Sequence, residues 1–125
     1  MRLAAFAFLL AFGVPLALPH SQSDIEIRQP GHDPSVRWTA AGTLAMVFVR
    51  EETDGGRLYY TDSGKTGVAT AISPPGARVV AQPQTGPSLE ILPDKTYVVV
   101  YSVSVPPKHG SEIRAQRSSN GGATW

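Results

Sequence analysis

Two apolar runs dominate the chain, LAMVFV at 44–49 and TYVVVYSV at 96–103. Both are rich in valine and aromatic residues, which favour strands because β-branched and ring side chains fit a pleated surface. A nearly continuous apolar run is typical of a strand covered on both faces. Each run is preceded by a predicted shorter strand and by a turn made of residues that suit tight reversal, Ala40-Ala41-Gly42 and Pro93-Asp94-Lys95.

The two strand pairs are copies of one repeat. PSVRWTAAGTLAMVF begins at Pro34 and PSLEILPDKTYVVVY begins at Pro87, so equivalent residues are 53 apart (87 − 34 = 53). A polar loop and a third strand follow in each copy, and aligning Asp62 with Asn120 gives an offset of 58, which makes the second loop region five residues longer (58 − 53 = 5). Repeats of this length indicate stacked modules, and insertions fall in their loops.

Composition excludes several classes of site. Eleven basic and ten acidic residues leave a net charge of +1, too even to indicate a nucleic-acid partner. There is no cysteine, hence no disulfide or thiolate nucleophile. The histidines, at 20, 32 and 109, show no metal-ligand spacing, and no glycine-rich phosphate motif leads from a strand into a helix. We therefore predict no metal and no cofactor.

Residues 1–23 have the order of a secretory signal peptide. Arg2 is followed by an apolar run from Leu3 to Phe12, which is too short to span a membrane comfortably, and then by Gly13 and Pro15. We predict an exported protein, secreted or periplasmic, with no membrane contact after signal removal. An N-terminal anchor or a buried apolar segment is the alternative, because the best cleavage candidate is only 21–23, Ser-Gln-Ser.

The segment 118–125, SSNGGATW, resembles the Asp-box, Ser-x-Asp-x-Gly-x-Thr-Trp, of sialidases and related β-propeller proteins. Four positions match, and asparagine takes the aspartate place: the segment supplies Ser118, Asn120, Gly122, Thr124 and Trp125. Asp62, Gly64 and Thr66 form a degenerate second copy, in which Tyr60 and Gly67 replace the serine and the tryptophan. Independently of the name, a short acceptor side chain can bind turn amides, glycine takes backbone angles that other residues avoid, and an indole can anchor the turn.

The resemblance implies an all-β fold, in which antiparallel four-stranded blades form a six-bladed propeller. Residues 24–125 would supply two blades, about 34–72 and about 87–125, the second incomplete because Trp125 precedes its fourth strand. We therefore expect a fragment of a longer propeller, inactive alone. A ring assembled from short chains is an alternative, and so is a small free-standing β-sandwich of about seven strands.

In the family, the Asp-box is structural and the substrate binds at the opposite end of the blades. An arginine triad holds the substrate carboxylate, an aspartate is the acid/base, and a tyrosine activated by a glutamate is the nucleophile. The resemblance makes Arg28 and Arg50 candidates for the triad and Asp54 for the acid/base. Further substrate-face candidates are His32, Asp33, Glu51, Glu52, Lys108, His109 and Glu112.

One departure from the family pattern concerns the N-terminal arginine. The motif that carries it ends in proline, and aligning that proline with Pro34 puts His32 in the arginine place. The four tyrosines all fall in predicted strands, and we interpret them as packing residues: Tyr59, Tyr60, Tyr97 and Tyr101.

Two functions follow. The first is an exported exo-α-sialidase-like glycoside hydrolase that removes terminal sialic-acid-type sugars. The second is a non-catalytic Asp-box propeller that binds carbohydrate or protein.

Overall fold

In the residues that the computed structural model describes, the regular secondary structure is entirely β, as predicted. The structure describes residues 27, 29–65, 68–82, 84–105 and 110–125, so the predicted signal peptide lies outside the described residues. The strands are β1 His32–Trp38, β2 Leu44–Glu52, β3 Gly55–Asp62, β4 Thr70–Ala71, β5 Val79–Val80, β6 Ser88–Ile91, β7 Tyr97–Ser104 and β8 Ser111–Ser118.

The strands form two antiparallel sheets, each from a contiguous stretch of chain. The first sheet has the order β1-β2-β3-β4. In the second, β7 is central: β8 pairs with one edge of it, while β6 and the short β5 pair with different parts of the other edge. The two apolar runs predicted from the sequence are therefore the interior strands β2 and β7.

The 53-residue repeat is confirmed by the pairing of the strands. Val36 pairs with Met46 between β1 and β2, and Leu89 pairs with Val99 between β6 and β7. Each residue of the second pair therefore lies 53 positions after its equivalent in the first pair. The intervening turns also correspond, because Gly42 and its equivalent Lys95 both have positive φ, 75° and 66°. The same backbone reversal is thus built twice, once with glycine and once with lysine.

The third strands do not keep the offset that the Asp-box alignment predicts. Asp62 faces Ala45, while the equivalent of Ala45, Val98, faces Arg117. The pairing offset is therefore 55 (117 − 62 = 55), and the second loop region is two residues longer (55 − 53 = 2) rather than five. Asp62 corresponds to Arg117 by register and not to Asn120, because the two-residue turn at 53–54 sets where β3 begins and hence every pairing that follows it.

The core lies between the two sheets. Alternate side chains of β2 and β3 meet alternate side chains of β6 and β7, as the two-residue period of a strand requires. The remaining side chains of β7 face away from the first sheet. The core comprises Ala45, Val47, Val49, Leu58, Tyr60, Ile72, Val79, Leu89, Tyr97, Val99, Tyr101 and Val103.

Strands β1 and β6, which are equivalent in the repeat, are joined by polar contacts. The amide of Leu89 donates to Ser35 Oγ at 3.0 Å. Arg37 and Glu90, which are equivalent residues of the repeat, form a two-point contact at 2.5 and 3.2 Å. Because this pair is exposed, we infer that it aligns the two strands and contributes little to stability.

The turn at 119–125 is held by its own side chains. Ser118 Oγ accepts from the amide of Gly122 at 2.9 Å, and Asn120 Oδ1 accepts from the amide of Thr124 at 2.9 Å. Asn120 Nδ2 donates to Thr124 Oγ1 at 2.8 Å, and Trp125 Nε1 donates to the carbonyl of Gly122 at 3.2 Å. These bonds satisfy backbone groups that a turn otherwise leaves to water.

The same turn is docked on the other sheet through Tyr60. The ring centroids of Trp125 and Tyr60 are 5.3 Å apart, and Tyr60 Oη donates to the carbonyl of Gly121 at 3.3 Å. A Cβ atom on Gly122 would lie 2.3 Å from the Tyr60 ring. We call Tyr60, Gly122 and Trp125 the indole clamp, and it ties the end of β8 to β3.

We predict that Gly122→Ala destabilises the protein much more than Gly121→Ala. Both glycines have positive φ, 82° and 66°, but the space beside Gly121 is open. Left-handed strain alone costs about 1 kcal/mol, and overpacking against Tyr60 adds about 1–3 kcal/mol for Gly122→Ala. Equilibrium urea unfolding of both variants measures the difference, and equal losses would show that Tyr60 does not hold the turn.

Candidate functional site

The loops lie at two opposite ends of the sheets. One end, here the turn end, carries the turns 39–43, 63–65, 92–96 and 119–125. The other, here the loop end, carries the start of β1, the turn 53–54 and the chain that enters and leaves β5. The described substrate-face candidates lie at the loop end, on β1, on the last residues of β2, in the turn that follows and at the start of β8.

A histidine at the loop end lies between two carboxylates. His32 Nδ1 is 2.7 Å from Asp33 Oδ2, and His32 Nε2 is 3.1 Å from Glu51 Oε1. The hydrogen bond with Asp33 is the main cause that raises the pKa of His32 above its ordinary value of 6.5. Desolvation, the next effect in size, opposes this shift, and the hydrogen bond with Glu51 adds to it. The charged imidazolium, which donates from both nitrogens, is therefore the favoured form in this geometry.

Local backbone irregularity creates this arrangement. The β1–β2 register shifts between His32 and Ser35, and Asp33 has a positive φ of 49°. A bulge turns consecutive side chains out of strict alternation, so His32 and its neighbour Asp33 can approach each other.

The guanidinium group of Arg50 contacts a backbone carbonyl and an aromatic ring of the same chain. Its Nε donates to the carbonyl of Pro30 at 3.1 Å, and its guanidinium carbon lies 4.3 Å from the centroid of the Tyr59 ring. The Tyr59 and Phe48 rings stack with centroids 5.8 Å apart. The arginine thus covers an aromatic pair through a cation–π contact, and this arrangement places its charge beside the tyrosine hydroxyl.

Glu52 joins the tyrosine and a second arginine. The hydroxyl of Tyr59 donates to Glu52, and Arg57 Nη1 lies 3.5 Å from Glu52 Oε2. The hydrogen bond to Glu52 is the main reason that the pKa of Tyr59 is raised. Within the described residues, Arg57 Nε is buried and has no hydrogen-bond partner. We call Arg50, Glu52, Arg57 and Tyr59 the hairpin cluster.

Two members of this cluster, Arg57 and Tyr59, were not predicted as site residues. The β2–β3 register places Phe48 opposite Tyr59 and Arg50 opposite Arg57. A two-residue turn between two strands, together with the alternation of side chains, was the signal in the sequence that could have found them.

The other predicted positions are separate from these contacts. Asp54 is exposed in the turn between β2 and β3. Glu112 lies on β8 and pairs with Arg114 at 3.2 Å. Three of the predicted site residues and one residue of the degenerate Asp-box lie outside the described residues: Arg28, Lys108, His109 and Thr66.

Each end also has a cavity. At the loop end, a cavity of about 160 Å³ is lined by Ile27, His32, Pro34 and Phe48 among others. At the turn end, a groove of about 500 Å³ runs between the two sheets. Its lining combines lysine, threonine and amide groups with the Tyr97 ring: Thr39, Thr43, Asp62, Lys65, Lys95, Tyr97 and Asn120.

In the part of the chain that the structure describes, no group of three or more histidine, aspartate or glutamate side chains is arranged to hold a metal ion. Among the same residues, no helix has the length and apolarity needed to cross a membrane. Comparison of the chain with known protein families, with curated proteins and with solved structures finds no match.

We predict that His32 titrates above 6.5 and stabilises the fold only at lower pH. Because its folded pKa is raised, the stabilisation is fully present below the unfolded value of 6.5 and is lost as pH rises through the folded pKa. NMR titration measures that pKa. Unfolding of the natural chain and of His32→Gln should differ at pH 5.5 and converge at pH 8.5, and a difference that grows with pH would contradict the ion pairs.

Proposed function

We propose that the chain forms two neighbouring blades of an Asp-box β-propeller from an exported, sialidase-like glycoside hydrolase. The observation that carries this proposal is the turn 118–125, which uses its serine, asparagine, threonine and tryptophan for hydrogen bonding and anchoring at the end of a repeated sheet. In support of blades over a sandwich, consecutive strands pair in β1-β2-β3-β4 and in β6-β7-β8, whereas sandwiches typically connect their two sheets by Greek-key crossings.

The loop end would then be the glycan-binding end. It combines guanidinium, imidazole and carboxylate groups, as recognition of an acidic sugar and acid/base chemistry require. In this proposal Arg50 would help to bind the substrate carboxylate. Asp54, exposed in the tight turn next to the hairpin cluster, would transfer the proton to the leaving oxygen.

The natural full-length protein is expected to release the fluorophore from a fluorogenic sialoside. Asp54→Asn should lower kcat by about 10²–10⁴-fold, because it removes general acid/base catalysis. Asp94→Asn is the matched control, since Asp94 is an exposed aspartate in the β6–β7 turn at the opposite end. Absence of release by the natural protein would reject hydrolysis of that substrate, and equal losses in the two variants would reject the role of Asp54.

A second candidate is the non-catalytic propeller that binds a glycan. It is favoured by the contacts of Arg50, whose guanidinium already has a carbonyl partner and an aromatic face in the chain itself. Saturable binding of a sialylated oligosaccharide in calorimetry, without release of the sugar, would support this candidate over the hydrolase.

A further inference from the structure

The two sheets pack with unlike faces of the repeat against each other. We define the leading face of each sheet as the one that carries Val47 and Leu58 in the first sheet and their equivalents Val100 and Ile113 in the second. The opposite, trailing face carries Val36 and Trp38 in the first sheet and their equivalents in the second, Leu89 and Ile91. The core residues of β2 and β3 lie on the leading face of the first sheet, and those of β6 and β7 lie on the trailing face of the second. These two faces are therefore buried against each other.

This packing leaves part of one face of each kind exposed. Val47 is 0% exposed while its equivalent Val100 is 39% exposed, and Leu58 is 0% exposed while its register equivalent Ile113 is 78% exposed. The difference lies in the neighbours, because the repeat supplies an apolar side chain at both positions. The leading face of the second sheet therefore presents Val100 and Ile113 to solvent, next to Ser102 and Ala115, which stand where the first sheet buries Val49 and Tyr60.

The trailing face shows the converse. Leu89 is 0% exposed in the second sheet, whereas its equivalent Val36 is 39% exposed and Trp38 is 64% exposed in the first. Part of this face is covered, because Met46 is 8% exposed and Phe48 2% exposed, and both line the loop-end cavity together with Ile27 and Gly31. Val36 and Trp38 thus form an exposed apolar patch towards the turn end of this face, whereas the hairpin cluster occupies its loop end.

From these two complementary surfaces we propose that a second copy of this chain docks on the first. The leading face of one copy, at Val100 and Ile113, would pack on the trailing face of the next, at Val36 and Trp38. Such an interface is heterologous, so it adds copies in one direction and closes into a ring when the rotation permits. The proposal depends on the packing of the sheets and not on glycan activity, and it is the alternative to a longer propeller, in which further blades of the same chain would cover these two faces.

Face-to-face docking is favoured over pairing through the free edge of the second sheet. That edge is β8, whose exposed side chains include Glu112, Arg114 and Arg117. Charged side chains along an edge strand oppose strand addition by another molecule. The faces, in contrast, present valine, tryptophan and isoleucine to solvent, and large exposed apolar side chains of this kind typically mark an interaction surface.

Sedimentation velocity of the purified chain and two single variants tests the proposal. The natural chain is expected to associate with increasing concentration, while Trp38→Glu and Ile113→Glu should each weaken self-association by more than about 10-fold, because a charge is placed in an apolar interface. An equimolar mixture of the two variants should form a one-to-one dimer, since Trp38→Glu keeps its leading face and Ile113→Glu keeps its trailing face.

Val68→Glu is the matched control, because Val68 is 72% exposed and lies outside the strands of both faces. It should associate like the natural chain. Circular dichroism establishes that each variant folds, and Val36→Lys and Val100→Lys replace either variant that does not. A natural chain that is monomeric at about 100 µM, far above the Kd of a stable specific complex, would overturn the proposal and assign these faces to other repeats or another protein. Undiminished self-association of either single variant would also overturn it, by indicating a like-with-like interface.

Discussion

The contact between the two sheets is the constraint on which the rest of the structure depends. Alternate side chains of β2 and β7 are removed completely from water, so neither sheet can expose its inner face without losing this hydrophobic stabilisation. The contact also fixes how the strands of one sheet are placed against those of the other. Through it, Tyr60 on β3 comes to lie beneath the final turn of the chain, where Trp125 packs on its ring.

The indole clamp adds polar specificity to this apolar contact. Burial raises the pKa of the Tyr60 hydroxyl, so it stays a hydrogen-bond donor, and it reaches both Asp62 and the carbonyl of Gly121. The Nζ of Lys65 donates to the same carbonyl at 3.0 Å. Apolar packing is tolerant of small shifts, whereas hydrogen bonds are directional, so these bonds specify where the turn sits on the first sheet.

Much of the fold could be predicted, and less of the candidate site. The interior strands, both turns between paired strands and the 53-residue repeat follow from local patterns and are confirmed. The placement of Arg50 and Glu52 at the loop end also follows from strand direction. Their contact with Tyr59 does not, because it depends on the register of β3. The Asp-box alignment predicts an offset of 58 between the third strands of the two copies, whereas their hydrogen-bonded register gives 55.

By itself the sequence determined the long strands, the turns between paired strands and the equivalence of the first two strands of each copy, since these properties depend on neighbours along the chain. Only the tertiary structure decided which faces are buried. Val47 and Val100 are the same residue type at the same place in the repeat, yet one lies in the core and the other faces solvent. Burial depends on what packs across a face, and that neighbour comes from a distant part of the chain.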